Sequence, residues 1–250
     1  MEVFNITLPT NWAELTDKQL HMVYNLFARD LSAAEVKTLC LMKWNGLKVL
    51  SQLPDKRFLI KRGKEVVPLS TRQIQQATSV LDFLDSFAPM PVRIARIGKY
   101  RALPADFEKV PFEEFLFVEN LFQGYLNTQQ DELLLQMAQI LYGSDHVKPS
   151  KAHLVGIFYW MASLKQYFAS LFTNFYKPAP AKGEANLLGS SQPDIYSQLR
   201  DSTNAMIRAL TGGDITKEER ILKMDTWRAL TELDAKAKEA EELRKAYKKP

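Results

Sequence analysis

Cysteine is almost absent from this chain of 250 residues, which contains one, Cys40. A single cysteine cannot close a disulfide within the chain, and its neighbours Leu39, Leu41 and Met42 indicate that it packs in an apolar core. Secreted proteins of this kind usually carry paired cysteines, so we expect a protein of a reducing compartment, the cytoplasm.

Residue patterns for catalysis and metal binding are also missing. None of the three histidines has a cysteine or carboxylate at metal-ligand spacing. The sequence around Gly212 and Gly213 lacks the Lys-Ser/Thr of a phosphate-binding loop, and adjacent carboxylates point to different faces of a helix. We therefore expect no enzyme activity, no cofactor and no metal.

Long apolar runs are lacking too. The most apolar segment, Leu154–Tyr176, is interrupted by Lys165 and Gln166. The apolar stretch before Lys165 is shorter than the ~20 residues that a bilayer requires, so a buried core helix is favoured over a membrane span. The first residues, from Met1, contain no basic segment followed by an apolar one, and we expect no secretion signal and no membrane partner.

The charges present are nearly balanced. The chain has 33 basic and 29 acidic residues, a formal net charge of +4, and 46% hydrophobic residues. These are ordinary values for a globular protein. So mild an excess of basic residues does not by itself indicate a nucleic-acid partner.

Helical periodicity and capping boxes predict a mainly α fold. Capping boxes at Thr16–Gln19 and Ser32–Glu35 open the first two helices, and Ser70 or Thr71 caps a third that runs to about Leu84. Four further helices follow between Val110 and Leu210 on the same criteria.

Two segments interrupt the helical pattern with β-forming residues on either side of a glycine turn. Arg57–Leu69 and Val92–Leu103 each predict a β-hairpin. The predicted fold is therefore mainly α. A helical core with one or two short β-hairpins covers residues 1–176, and a Pro/Ala/Gly/Ser-rich linker covers 177–193. A linked C-terminal helical extension, here called the arm, covers 194–250.

The last helix of the predicted arm opens at a capping box, Thr216–Glu219, and carries apolar residues at three- and four-residue steps. A narrow seam of this kind packs against a partner helix, either in the same chain or in another protein, and the spacing is compatible with both. We predict protein binding through Trp227 and this seam, with Tyr247 at its end. The predicted protein-binding residues are Trp227, Leu230, Leu233, Ala237, Ala240 and Leu243.

A second surface is basic. Cations cluster on both predicted hairpins, where they can face phosphates, and this makes nucleic-acid binding or DNA packaging the alternative function. The other reading, which we favour, is a solvated run of charges that protects the hairpin edges, because no aromatic residue is clearly interleaved for base stacking. The alternative nucleic-acid-binding residues are Lys61, Arg62, Lys64, Arg93 and Arg96.

Three segments carry a resemblance that spans most of the chain: Asn11–Leu20, Phe158–Gln166 and Gly213–Leu233. They resemble a group of prophage-encoded proteins of unassigned role. In outline, a helical core with a helical extension is also similar to phage tail-assembly chaperones, which keep the tape-measure protein soluble. The resemblance implies a non-catalytic assembly factor or scaffold in the bacterial host cytoplasm. Its partner would be a tape-measure or tail-tube protein, and a homo-oligomer is a further alternative.

Overall fold

The computed structural model describes residues 5–177 and 195–247. Within them the protein is mainly α, with nine α-helices, one three-stranded antiparallel sheet and one two-stranded hairpin, which confirms the predicted fold class. None of the helices in these ranges is long and apolar enough to cross a membrane.

The chain forms two compact units. Unit 1 comprises Met1–Ala88, Val92–Ala95 and Lys148–Tyr159, and unit 2 comprises Pro89–Pro91, Arg96–Val147 and Trp160–Pro250. In this division, residues 96–147 and 160–176 of the predicted core cluster with the predicted arm. The predicted linker lies outside the described residues from position 178 onward.

Unit 1 begins with α1 (Asp17–Phe27) and α2 (Ala33–Trp44), and both start at their predicted capping boxes. Helix α3 (Thr71–Thr78) likewise starts at Ser70. The prediction that it continues as an α-helix to Leu84 is wrong, because Ser79–Asp85 is a 3₁₀ segment. The hydroxyls of Thr78 and Ser79 donate to carbonyls three residues back, which competes with the regular helical hydrogen bonds.

The sheet of unit 1 has the order β1 (Lys48–Gln52), β2 (Phe58–Arg62), β3 (Glu65–Leu69). The hairpin β2–β3 confirms the first predicted hairpin, and its turn contains Gly63, whose φ of 58° favours glycine. Strand β1 was not predicted, because all five of its side chains are exposed and it therefore has no alternation of buried and exposed positions.

Helix α6 (Lys151–Leu171) contributes its residues up to Tyr159 to unit 1 and those from Trp160 to unit 2. In unit 1 its Gly156 lies against the ring of Tyr24, which is fully buried. Cys40, in α2, is buried as well, and burial raises the pKa of its thiol to about 12.

At the start of helix α6, His153 takes the position that glutamate or glutamine usually occupies in a capping box. The Nδ1 atom of His153 accepts from the backbone N–H of Ser150 at 3.0 Å and lies 2.8 Å from its hydroxyl. The ring of His21 packs against it, with 4.9 Å between centroids. Burial, and secondarily the charge of His21, lowers the pKa of His153.

From the lowered pKa of His153 we predict that the free energy of unfolding of unit 1 falls in acid. The unfolded chain, with a histidine pKa near 6.5, takes up a proton at a higher pH than the folded chain. The contribution of the cap is therefore complete above about pH 7 and is lost progressively as the pH falls from the unfolded pKa through the lower pKa of the folded chain. His153→Gln, which keeps the acceptor of a capping box without titrating, should reduce the fall in the free energy of unfolding between about pH 7.5 and 5.5.

Urea titrations at several pH values measure this slope. The matched control is His146→Gln, at an exposed histidine, and the slope of His153→Gln is compared with that of this variant. An unaltered slope in His153→Gln would contradict the role of the cap.

Unit 2 contains the second predicted hairpin, which is confirmed by β4 (Arg96–Ile97) and β5 (Tyr100–Arg101). Besides part of α6, its helices are α4 (Phe112–Thr128), α5 (Asp131–Leu141), α7 (Ile195–Thr211), α8 (Glu218–Leu222) and α9 (Thr226–Tyr247). Large buried side chains fill its core, among them Phe112, Phe115, Met137, Trp160, Phe168 and Leu230.

The predicted single helix from Thr216 to the end is wrong. The chain forms a 3₁₀ segment and α8, breaks, and begins α9 only at Thr226. The break arises because the carbonyl of Met224 accepts from the N–H of Phe112 (2.8 Å), and the N–H of Thr226 donates to the carbonyl of Val110 (2.9 Å). These distant partners replace hydrogen bonds that a continuous helix would make within itself.

Candidate protein-binding site

Helix α9 is fixed at its start to the loop that precedes α4. Asp225 accepts from two backbone N–H groups, that of Lys109 at 2.7 Å and that of Arg228 at 3.1 Å, so one carboxylate ties the loop and caps the helix. The hydroxyl of Thr226 donates to the carbonyl of Val110 at 2.7 Å, inside the protein. The first turn of α9 is thereby held firmly in unit 2.

The next residues of α9 are enclosed by aromatic and aliphatic side chains. The ring of Trp227 lies 5.6 Å from that of Phe168 and 5.9 Å from that of Phe172, and its indole N–H donates to the carbonyl of Asp106 at 2.8 Å. Leu230 is fully buried and Leu233 nearly so. Of the predicted binding residues, Leu230 and Leu233 therefore belong to the core of unit 2, and the half-buried Trp227 packs against that core.

A second anchor holds the middle of α9. The carboxylate of Asp234 accepts from the backbone N–H groups of Asn174 and Phe175 at 2.8 and 2.9 Å, and from the side-chain amide of Asn174 at 2.8 Å. Burial by itself raises the pKa of Asp234, but these hydrogen bonds outweigh it and place the pKa below its usual range. The ionised carboxylate thus ties α9 to the segment after α6.

The last attachment of α9 is an ion pair. Lys177 contacts Glu241 at 2.7 Å, and Lys245 contacts the same carboxylate at 2.9 Å. Hydrogen bonds from Lys177 and then Lys245 lower the pKa of Glu241 to about 2. From Glu242 to Tyr247 every side chain is exposed.

The apolar seam of α9 therefore changes its surroundings along the helix. Ala237 is half-buried, Ala240 is exposed, and Leu243 and Tyr247 are 59% and 87% exposed. Ala240, Leu243 and Tyr247, here called the α9 tip, follow i, i+3, i+7 spacing and share one face. The seam begins inside unit 2 and continues beyond the last anchor into solvent-accessible surface.

Two features of this site were missed from the sequence. The anchoring role of Asp234 depends on Asn174, 60 positions away, and that of Asp225 on Lys109, 116 positions away. Neither pair has a local motif that would reveal it. Their effect is decisive, because they determine how much of the seam is covered.

The basic residues of the alternative interface fall in both units. Lys61, Arg62 and Lys64 lie together on the β2–β3 hairpin of unit 1, where Lys61 stands directly opposite Lys48 of β1. The guanidinium of Arg62 donates to the carbonyl of Asn5 at 2.6 Å.

The second predicted basic cluster is divided between the units. Arg93 belongs to unit 1, whereas Arg96 lies in β4 of unit 2. Nucleic-acid binding by the two clusters remains a prediction.

No group of three or more metal-ligating side chains is found in the part of the chain that the structure describes. Between Asp234 and Tyr247, helix α9 carries four acidic and four basic side chains. Comparison of the chain with protein-family models, with curated proteins and with solved structures finds no match.

Proposed function

We propose that this protein is a non-catalytic assembly factor that binds another protein through the α9 tip. The observation that carries the proposal is the exposure of Leu243 and Tyr247 at the end of a helix that Asp225, Asp234 and Glu241 fix in place. An apolar stripe that is already helical and continues an anchored helix loses less conformational entropy on binding than an unfolded segment, which favours association.

The chemistry of the tip favours a protein partner with an apolar groove. A helix that presents residues at i, i+3 and i+7 matches the spacing with which helices dock into such grooves. Tyrosine is enriched at the energetic centres of interfaces because its ring buries a large area while its hydroxyl retains a hydrogen bond. The balanced charges around the tip give no preference for a strongly acidic or basic partner.

We further propose the setting that the resemblance to prophage proteins implies. In this setting the protein acts in the cytoplasm of a bacterial host as a tail-assembly chaperone or scaffold. Its partner is the tape-measure or tail-tube protein, and self-association through the tip is the competing arrangement. The support for this setting is that resemblance together with a mainly helical architecture that ends in an exposed amphipathic helix.

The test replaces the apolar tip without disturbing the core. We expect Leu243→Asp with Tyr247→Asp to weaken binding to the tape-measure or tail-tube protein of the same genome at least about tenfold, which corresponds to ~1.4 kcal/mol. Co-purification and titration calorimetry measure this, and sedimentation of the chain alone measures self-association. Circular dichroism should show an unchanged fold, because both side chains are exposed.

A matched control adds the same two charges elsewhere on the exposed surface of α9. Thr231→Asp with Ala235→Asp lies outside the stripe and should leave binding intact. Equal loss in both double variants, or none in the tip variant, would contradict the proposal.

Nucleic-acid binding is the second candidate because Lys48 and Lys61 face each other across β1 and β2. Like charges directly opposite one another destabilise a sheet, and a bound phosphate would relieve the repulsion. If the tip variant retains its protein partner while the unmodified chain binds duplex DNA with a steep loss in salt, this candidate replaces the first.

A further inference from the structure

Helix α7 is the least buried long helix of unit 2. It contacts α4, α8 and α9. Among its described side chains, from Ser197 onward, only Thr211 at its C-terminal end is buried, whereas α4 buries six residues over the same length. A side-chain contact to α4 joins Asn120 and Thr203, whose amide and hydroxyl exchange hydrogen bonds at 3.1 and 3.3 Å.

Cavities lie on both sides of this helix. One of about 510 Å³ separates α7 from α4 and α5 and is lined by Phe117, Leu121, Leu133 and Ile140. Another of about 630 Å³ lies between α7 and α4, α6 and α9, where Phe115, Phe175 and Leu233 form its apolar wall. Leu199 and Asn120 border both cavities.

Both spaces are open to solvent, so α7 leaves part of the apolar surface of its neighbours uncovered. Contact between apolar surface and water is unfavourable, and a larger apolar side chain placed there would remove it. Phe117 of α4, which borders the first cavity, is still 61% exposed with α7 in place. The apolar surface on which α7 packs is therefore larger than the area that α7 covers.

Two glycines end α7. Gly212 and Gly213 follow it directly and have φ values of 67° and 85°, in the region that glycine alone adopts without strain. Two such residues in succession allow the direction of the chain to change here, and displacement of α7 also breaks its contact with α8.

We propose that the seat of α7 is a binding groove for an amphipathic helix of a partner protein. Helix α7 occupies this groove and competes with the partner helix for it. Here the seat means the faces of α4, α5, α6 and α9 that line the two cavities. A partner helix displaces α7 by filling the cavities that it leaves. The groove is distinct from the α9 tip, so this inference goes beyond the proposed function.

Helix α7 itself indicates the chemistry of that partner. It places Leu199 and Met206 seven residues apart toward the second cavity, with small residues at Ala205 and Ala209 and a hydroxyl at Thr203 facing Asn120. A displacing helix keeps this spacing and carries larger apolar side chains where α7 has alanine, because the cavity beside Ala205 and Ala209 accommodates them.

The experiment uses a labelled peptide with the sequence of residues 195–211 as the probe. Leu199→Asp with Met206→Asp in the full chain weakens α7 in its own seat, and we expect this open variant to bind the peptide at least tenfold more tightly than the unmodified chain. A peptide carrying the same two aspartates is the control and should not bind. Fluorescence anisotropy measures all three affinities.

A disulfide closes the seat in a second variant. Asn120→Cys with Thr203→Cys joins two side chains that already meet, and it should abolish peptide binding when oxidised and restore it when reduced. Thr203→Cys alone is the matched control. Equal peptide binding by the oxidised and reduced forms would overturn the proposal, as would a folded open variant that binds no peptide.

Amide hydrogen exchange of the unmodified chain keeps the proposal testable if the open variant fails to fold. Opening of α7 alone requires its amides to exchange at least about 100-fold faster than those of α4. Exchange at the same rate in both helices would show that α7 does not leave its seat, and would also overturn the proposal.

Discussion

Gly156→Ala is expected to destabilise the protein by about 1–3 kcal/mol, although alanine is the better helix former by ~1 kcal/mol. A Cβ atom at position 156 would lie 2.8 Å from Cδ2 and 3.1 Å from Cε2 of Tyr24. The ring of Tyr24 cannot retreat, because it is fully buried and packs against the rings of Trp12 and Tyr159, with centroids 6.2 and 5.6 Å away. Urea unfolding measures the loss.

The matched control for this substitution is Gly124→Ala, in another buried helical position. Its added Cβ would meet only the Cδ1 atom of Leu133, at 3.2 Å, and that atom ends a flexible side chain beside a cavity. The gain in helix propensity then offsets the crowding, and the change in stability should stay within about 0.5 kcal/mol. If both variants were equally stable, the contact between α6 and Tyr24 would not exist in solution.

Leu230→Ala is expected to cost about 2–5 kcal/mol, the range for removing a fully buried leucine from a core. Leu243→Ala, in the same seam of the same helix, should change stability by no more than about 0.5 kcal/mol, because its side chain is 59% exposed. The pair compares one residue type in one helix, so helix propensity cancels. Chemical unfolding of the isolated chain measures both values.

The same pair distinguishes the two arrangements that the sequence left open for the last helix. If α9 packed only on another protein, neither substitution would affect the isolated chain. If the whole seam were covered within the chain, both would destabilise it to a similar extent. Either result would contradict a seam that is half enclosed in unit 2 and half exposed.

Local signals predicted the helix starts well and failed where distant residues intervene. Thr16, Ser32 and Ser70 cap their helices as expected, since a capping box involves residues only three positions apart. Thr216 offers the same motif, yet Asp214 accepts its N–H, and the helix breaks at Asp225. The cause is the pairing of this segment with the residues before α4, which no local pattern contains.

For the candidate site, too, the sequence predicted the local features and not those that depend on distant residues. Periodicity identified Leu230 and Leu243 as members of one seam, because helical spacing depends only on the order of residues. It could not show which half is covered, since the anchors of α9 are contributed by Asn174 and Lys177, far away in the chain. The sequence also could not predict the cavities beside α7, because the space between helices depends on how several helices pack together.

The buried position of Cys40 makes this chain convenient for site-directed chemistry. Thiol reagents attack the thiolate, and a group with a pKa of about 12 is almost wholly protonated near neutrality, besides being shielded from the reagent. A cysteine introduced at Leu243 or Thr203 would therefore be the single reactive thiol. Fluorophores, spin labels or crosslinkers can be attached there without first replacing the natural cysteine.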